Sequence, residues 1–284
     1  MEKVVLTNRS FKQISYYRTG SGPALMLVHG FPANAQLWRY TWPVLAASYT
    51  LILPEFFAAN GEWMKEGHTS MSLLADGFRD ILEHEGITEL VCAGHSMGGY
   101  MSLVFAEKYP QYIKGLCLVH SSTLPDDEAR REGRLKTISI LEQGGKSPFL
   151  KKMVRALFPA EFGQLHPDII NRQTEEALAV PEDSLIAFYR AITERYGTQH
   201  VIRAANYPVQ YLVGALDNLA NIHKELSESN LTNINFVKVY SQCAHMAMLE
   251  APEQLTDDLD HFARFCYSYR QHPAVPTQPQ MILP

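Results

Sequence analysis

The sequence has little cysteine and little excess charge. Only 4 of the 284 residues are cysteine and no Cys-x-x-Cys spacing occurs, so neither a zinc site nor a redox dithiol is indicated. The formal net charge is -5 at pH 7 and no basic run is present, which argues against binding to nucleic acid or to a membrane surface. The composition, 46% hydrophobic and 19% charged, is that of an ordinary globular protein.

Long apolar runs are also missing. No stretch approaches the roughly 20 apolar residues of a membrane span, and residues 1–8 lack the apolar core of a signal peptide. These absences predict a cytoplasmic protein. The phosphate-binding loop, the glycine pattern of dinucleotide sites and any histidine-rich ligand cluster are absent as well, so we expect neither a cofactor nor a metal.

Short apolar runs recur along the chain, and helical patterns separate most of them. Apolar runs that do not alternate with polar residues are typical of strands covered on both faces. Strands that alternate with helices in this way predict a doubly wound, mostly parallel α/β sheet. The expected strands are 3–7, 11–18, 24–28, 50–53, 89–93, 116–119, 209–213 and 235–239.

Two helices and one long interruption complete this pattern. Residues 70–85 show the apolar spacing of one helical face and end at Gly86, and Pro252 suits the start of the last helix. The stretch between Val119 and Val209 has helical patterns and no clear strand, which we interpret as an inserted helical cap. The predicted divisions are a core over 1–124 and 204–267, the cap over 125–203, and an extended, proline-rich tail over 268–284.

The most informative motif is Gly-x-Ser-x-Gly at residues 94–98. It lies between an expected strand and an expected helix, which is the setting of a nucleophile elbow. The flanking glycines are needed because the turn is tight, and a side chain there would collide with nearby backbone. The motif predicts that Ser96 is a nucleophile at the start of a helix whose N–H groups can bind negative charge.

A serine hydroxyl needs a base to remove its proton, and elbow folds supply the partners in the order Ser, acid, His. Asp217 lies just past the expected strand 209–213, and His245 lies between the last strand and the last helix. We predict that His245 is the base and that Asp217 orients it. Asp126 and Asp127, which follow the strand 116–119, are alternative acids.

An oxyanion needs two N–H donors. Met97 follows the nucleophile and is expected to supply one. The second is expected from the loop 29–32, where Phe31 is our choice because the chain turns there and leaves the sheet. Three further histidines lack a catalytic signal, and the first two are expected to be structural: His29, His95 and His120.

Together these motifs resemble those of α/β-hydrolase-fold serine hydrolases, in the group of esterases, lactonases and C–C hydrolases. The resemblance spans about residues 3–266 and is weak through 125–203. It implies an eight-stranded sheet with a helical cap after the sixth strand. A pocket under such a cap is apolar by default. The matching segments are 29–32, 94–99, 214–217, His245 and 250–253.

One loop departs from this resemblance. Relatives usually have an aspartate and a Gly-x-Gly-x-Ser turn after the strand 50–53, whereas this chain has Glu55 and no paired glycines across 54–63. That loop borders the active site in relatives, so the difference in sequence affects the expected shape of the loop and the choice of substrate. The residues of the triad are not affected.

The resemblance implies a cofactor-independent hydrolase of small or medium carboxylic esters, which forms an acyl-enzyme on Ser96. A serine nucleophile argues against the carboxylate chemistry of haloalkane dehalogenases and soluble epoxide hydrolases. Lactonases, C–C hydrolases and lyases use the same triad, and a non-catalytic small-molecule-binding protein is the alternative from another class. The expected partner is a small ester-like molecule, with no nucleic acid and no membrane, and the oligomeric state stays open.

Overall fold

The computed structural model describes residues 1–7, 11, 13–57, 63–64, 68–219 and 222–269. Part of the departing loop 54–63 and most of the tail 268–284 therefore lie outside the described residues. The strands are β1 (Glu2–Leu6), β2 (Ile14–Thr19), β3 (Ala24–Val28), β4 (Thr50–Glu55), β5 (Leu90–His95), β6 (Ile113–Val119), β7 (Val209–Gly214) and β8 (Asn235–Tyr240).

The strands form one eight-stranded sheet in the order β1-β2-β4-β3-β5-β6-β7-β8. β1 pairs with β2, and β2 with β4, in antiparallel fashion, while every pair from β4 to β8 is parallel. The predicted mostly parallel sheet is therefore confirmed. All residues of β3 and β5 are buried, whereas the edge strand β8 alternates between exposed and half-buried residues along most of its length.

Helices cover the sheet, and local sequence sets where they begin and end. Ser70 accepts a bond from the Leu73 N–H before α2, and Gly86 ends α2 with a φ of 65°. The helices are α1 (Trp42–Leu45), α2 (Met71–Glu85), α3 (Met97–Lys108), α4 (Glu128–Glu142), α5 (Lys146–Ala156), α6 (Ala160–Leu165), α7 (Pro167–Ala179), α8 (Glu182–Thr193), α9 (Gln199–Arg203), α10 (Ile222–Ser229), α11 (Ala247–Glu250) and α12 (Pro252–Ser268).

Six of these helices, α4 to α9, lie in sequence between β6 and β7, and we call residues 128–203 the helical segment. Within it α4 packs on α8 and α5 packs on α7. Its backbone also reaches the core, because Leu157 C=O accepts a hydrogen bond of 3.0 Å from the His245 N–H. Among the described residues, no helix combines the length and the apolar character needed to cross a bilayer.

The turn from β5 into α3 is packed so closely that its glycines cannot be replaced without strain. A Cβ on Gly98 would lie 2.5 Å from Val28 C=O and 2.7 Å from His29 C=O. A Cβ on Gly94 would lie 2.5 Å from Gly98 C=O. As the sequence predicts, bulk on either side of Ser96 would collide with backbone. Gly98 thus lets α3 lie against the end of β3.

We expect Gly98→Ala to lower the free energy of unfolding by about 1–3 kcal/mol, the usual cost of overpacking a rigid site. Gly133 is the matched control, since it lies inside α4 and a Cβ there meets nothing within 4 Å. Gly133→Ala should stabilise the protein by about 0.5–1 kcal/mol because alanine favours a helix interior. Urea unfolding measures both, and equal effects of the two variants would contradict the packing argument.

Candidate active site

Ser96 lies at a strained turn between β5 and α3. Its backbone has φ 50° and ψ -116°, a conformation that residues other than glycine rarely adopt. Ser96 N–H donates to Val119 C=O at 2.9 Å, and the Ser121 hydroxyl donates to Ser96 C=O at 2.8 Å. This anchored turn places Ser96 on the wall of a cavity of about 380 Å³.

His245 and Asp217 are joined by a short hydrogen bond. The distance from His245 Nδ1 to Asp217 Oδ2 is 2.7 Å, and the two side chains are 7% and 2% exposed. Their loops also contact each other, because Leu216 N–H donates to Cys243 C=O at 2.9 Å. His245 lines the same cavity as Ser96. The chain thus brings Ser96, His245 and Asp217 together where β5, β7 and β8 end.

Asp217 is held in its ionised form. Burial by itself raises the pKa of a carboxyl group, but the charge of His245 and the hydrogen bonds from His120 and His245 outweigh it. They hold the pKa of Asp217 well below its usual range. An anion at Nδ1 keeps the proton of His245 on that nitrogen and stabilises the imidazolium form. Nε2 of His245 is then the nitrogen able to accept a proton.

The two alternative acids are engaged elsewhere. Asp127 caps α4, where its side chain accepts a bond of 3.0 Å from the Arg130 N–H. The Asp126 carboxylate, 3% exposed, forms ion pairs with Arg134 at 2.5 Å and Arg195 at 2.9 Å. In the described part of the chain, neither carboxylate forms a hydrogen bond with His245, whereas Asp217 does.

His120 is a member of the site that the sequence leaves unassigned. It follows β6 with a φ of 47°, is 1% exposed, and lines the cavity. Its Nδ1 is 3.5 Å from Asp217 Oδ2, the oxygen that His245 also contacts. Burial lowers the pKa of His120. One feature of the sequence does point to a role for His120. It directly follows a parallel strand, and α/β sheets bind ligands at the carboxyl ends of such strands.

His95 and His29 have structural surroundings, as expected from the sequence. His95 is 2% exposed, and its Nε2 lies 2.9 Å from His245 C=O, so the ring N–H donates to that carbonyl. Burial lowers the pKa of His95, which keeps the ring neutral. The His29 ring is fully buried and accepts a bond of 3.4 Å from the Phe56 N–H. His95 therefore supports the backbone of His245.

Glu250 holds the loop that carries His245. One of its carboxyl oxygens accepts from Ala244 N–H at 2.8 Å and the other from Met246 N–H at 2.7 Å. Burial nevertheless raises the pKa of Glu250 to about 7, in spite of these two bonds. Glu250 belongs to one of the sequence segments that match the hydrolases, but no role follows from that match alone. The structure shows it fixing the backbone on both sides of the histidine.

The cavity is lined by both apolar and charged side chains. Phe31 and Met97, the two expected oxyanion donors, both contribute to its wall, and Ala33 N–H donates to Gly30 C=O at 3.0 Å in the turn that contains Phe31. The expectation of an apolar pocket is wrong in part, because three arginines also line the cavity. The apolar and aromatic lining residues include Tyr100, Met153, Leu157, Tyr189 and Ile192, and the charged ones include Asp127, Arg130, Arg134 and Arg195.

His120, Asp217 and His245 offer three possible metal-ligand atoms within 4.8 Å of one another. Two ligands of one tetrahedral zinc lie about 3.3 Å apart, given bonds of about 2.0–2.1 Å. The distance of 2.7 Å between His245 Nδ1 and Asp217 Oδ2 is shorter than this and suits a shared proton. The geometry therefore favours a hydrogen-bonded pair over a metal centre.

Known proteins share this architecture. A family model described as the alpha/beta hydrolase fold matches residues 23–139. The structure of a thermophilic esterase from Thermogutta terrifontis superposes with a TM-score of 0.87 at 24% identity, covering 94% of this chain and 99% of that chain. The chain has the α/β-hydrolase fold. The eight-stranded sheet and the position of the elbow agree with that assignment.

Relatives found by sequence match a smaller part of this α/β-hydrolase-fold chain than the superposed structure does. An uncharacterized protein of Mycobacterium tuberculosis is 31% identical over 122 residues, or 41% of this chain and 36% of the relative. Bifunctional epoxide hydrolase 2 of Mus musculus is 30% identical over 118 residues, or 40% of this chain and 21% of that protein. The match thus spans only about a third or less of these relatives' length.

Because Glu250 binds its proton more tightly in the folded state, its contribution to stability is present at low pH and declines between about pH 4.5 and 7. Glutamine cannot ionise, and its side chain has only one oxygen, so it cannot accept from both Ala244 N–H and Met246 N–H. One unpaired N–H costs about 1–3 kcal/mol. We therefore expect Glu250→Gln to destabilise the protein most at and below about pH 4.5, with the difference from wild type shrinking as the pH rises to about 7.

Urea unfolding at a series of pH values measures this difference. Glu253→Gln is the control, since Glu253 is exposed in the first turn of α12, outside the loop that carries His245, and its variant should not reproduce a difference that shrinks as the pH rises. A difference for Glu250→Gln that grows with pH would show that the folded protein binds the carboxylate in its ionised form.

Proposed function

We propose that this chain is a cofactor-independent serine hydrolase that acts on small or medium carboxylic esters. The main support is one arrangement of side chains. Ser96 lies on a strained elbow and shares a cavity with His245, whose other ring nitrogen is 2.7 Å from the buried Asp217 carboxylate. This combination of a nucleophile, a base and an orienting anion is what acyl transfer requires.

In the proposed reaction, Ser96 Oγ attacks the ester carbonyl carbon while Nε2 of His245 takes the hydroxyl proton. The tetrahedral intermediate collapses, the C–O bond to the alcohol breaks, and His245 returns the proton to the leaving alcohol. Water then attacks the acyl-enzyme with the same base, which releases the acid and restores Ser96. Asp217 stays ionised and stabilises the imidazolium in both steps.

The negative charge of each tetrahedral intermediate would be bound by two backbone N–H groups, those of Met97 and Phe31. Met97 is the first residue of α3, where unpaired N–H groups and the helix dipole favour an anion. Phe31 lies on the same cavity wall, in a turn outside the sheet. A donor of this kind typically contributes about 10²–10³ in kcat.

The nucleophile separates this proposal from the chemistry of some relatives. Epoxide hydrolases and haloalkane dehalogenases of the resembling families use a carboxylate at the elbow, whereas this chain has Ser96. A serine gives an acyl-enzyme that hydrolyses at its carbonyl carbon. This supports acyl transfer over epoxide or halide displacement for this chain.

The size of the cavity and the helical segment suggest the kind of substrate. A volume of about 380 Å³ suits a small or medium ester. Met153, Leu157 and Tyr189 of the helical segment contribute to its wall, and we propose that residues 125–203 act as a cap over the core. The cytoplasmic location and the lack of nucleic-acid and membrane partners stay predictions from the sequence.

We expect a fluorophosphonate probe to label the wild type and not Ser96→Ala, since Ser96 shares its cavity with the proposed base His245. Ser122→Ala is the matched control, because Ser122 lines the same cavity but donates its hydroxyl to Glu228 at 2.6 Å. In-gel fluorescence measures labelling. Labelling of Ser96→Ala at the wild-type level would show that Ser96 is not the nucleophile.

The acid of the triad is tested by two aspartate variants. Asp217→Asn should lower kcat/KM for p-nitrophenyl butyrate by about 10⁴-fold, because the amide holds the wrong tautomer of His245. Asp127→Asn keeps a side chain able to cap α4 and should change kcat/KM little. Steady-state kinetics with matched thermal melts measure both. The reverse ranking would assign the acid to Asp127.

A further inference from the structure

Three arginines form one wall of the cavity that contains Ser96. Arg130 and Arg134 are four residues apart on α4 and so lie on the same face of that helix, and Arg195 follows α8. We call Arg130, Arg134 and Arg195 the arginine wall. The expected reaction on a neutral ester needs no such group, because the oxyanion is served by backbone N–H donors. The arginine wall therefore needs its own explanation.

Two of these arginines share a single buried carboxylate. Asp126 accepts from Arg134 at 2.5 Å and from Arg195 at 2.9 Å, and its side chain is 3% exposed. The two arginine side chains are 21% and 6% exposed. One carboxylate between two guanidinium groups leaves one positive charge uncompensated. This charge is partly shielded from water at the cavity, where an anion would interact with it strongly.

Aromatic rings fix the orientation of both guanidinium groups. Arg195 Cζ lies 4.1 Å from the centre of the Tyr100 ring, and Arg134 Cζ lies 5.4 Å from that of Tyr189. Nε of Arg195 is buried and has no hydrogen-bond partner among the described residues, while its Nη1 and Nη2 donate to Ile192 C=O and Leu124 C=O, both at 3.3 Å. Groups held in this way lose little entropy when a ligand binds. The arginine wall is thus a preformed, positively charged set of side chains.

Arg130 adds a more accessible donor to the same wall. It donates to Leu219 C=O at 2.7 Å, and within the described ranges no carboxylate forms an ion pair with its side chain. A guanidinium group has five N–H donors, so several remain for a ligand. Counting the carboxylates of Asp126 and Asp127, the wall has an excess of one positive charge. That balance matches a monoanion better than a phosphate dianion.

We propose that the ester substrate carries a carboxylate group, which the arginine wall binds while the ester carbonyl lies at Ser96. This inference rests on the proposed esterase function and adds the class of substrate to it. Arginine suits the task because its planar donors pair with both oxygens of a carboxylate. Tyr100, one turn after Ser96 on α3, contacts Arg195 and links the elbow to the wall.

The test compares two esters that differ only in this charge: mono-p-nitrophenyl glutarate and its methyl ester. We expect the wild type to hydrolyse the monoanion with a kcat/KM at least about tenfold higher. Arg130→Gln should lower that preference by about tenfold, the lower end of the usual effect of losing one hydrogen bond to a charged group. The ratio of the two kcat/KM values within each variant cancels general damage to the active site.

Arg131→Gln is the matched control. Arg131 is the exposed neighbour of Arg130 on α4, is not part of the cavity wall, and its variant should keep the wild-type preference. Arg134→Lys is the second test variant, since it keeps the charge beside Asp126 but loses the planar donors, and its preference should also fall. An equal kcat/KM for both esters in the wild type would overturn the inference and leave the proposed function intact.

If the chain is not an esterase, the experiment gives a different result. If neither ester is hydrolysed, calorimetry with monomethyl glutarate and with dimethyl glutarate still tests the arginine wall. We expect the wild type to bind the monoanion and not the diester, and Arg130→Gln to bind it at least about tenfold more weakly. Equal binding of both probes, or binding of neither, would contradict recognition of a carboxylate.

Discussion

The hydrogen bond between His245 and Asp217 is the interaction on which the rest of the site depends. The bond is 2.7 Å long and almost fully buried, and it determines which nitrogen of the imidazole would accept the proton in the proposed reaction. The bond exists because the loops after β7 and β8 contact each other, with Leu216 N–H bonded to Cys243 C=O. Other groups then hold this pair in place: His120 beside the carboxylate, and Glu250 and His95 at the backbone of the histidine.

Much of the fold could be predicted from the sequence because its signals are local. The apolar runs of β3 and β5 and the end of α2 at Gly86 depend on neighbouring residues, and the structure has them as expected. The collision that a side chain would cause at Gly98 also follows from a short motif. Some strand ends differ by a few residues from the prediction because pairing across the sheet extends the strands. For example, β6 begins at Ile113, whereas the sequence predicts 116–119.

Contacts between distant segments could not be predicted in the same way. The place of His120 beside Asp217 depends on how β6 and β7 align, and no motif includes His120. The arginine wall combines α4 with the end of α8, and its shared Asp126 was among the alternative acids. An apolar pocket was the natural expectation, since composition says nothing about which charged residues turn inward. Long-range packing decides that point.

Mass spectrometry can detect the transfer of an acyl group to Ser96. The protein is mixed briefly with p-nitrophenyl acetate, quenched in acid, weighed intact, and digested for peptide mapping. We expect the added mass of one acetyl group, located on the peptide that contains Ser96. An acetyl group on Cys243 or on any residue other than Ser96, or hydrolysis with no covalent adduct under conditions where p-nitrophenol is released in a burst, would contradict it.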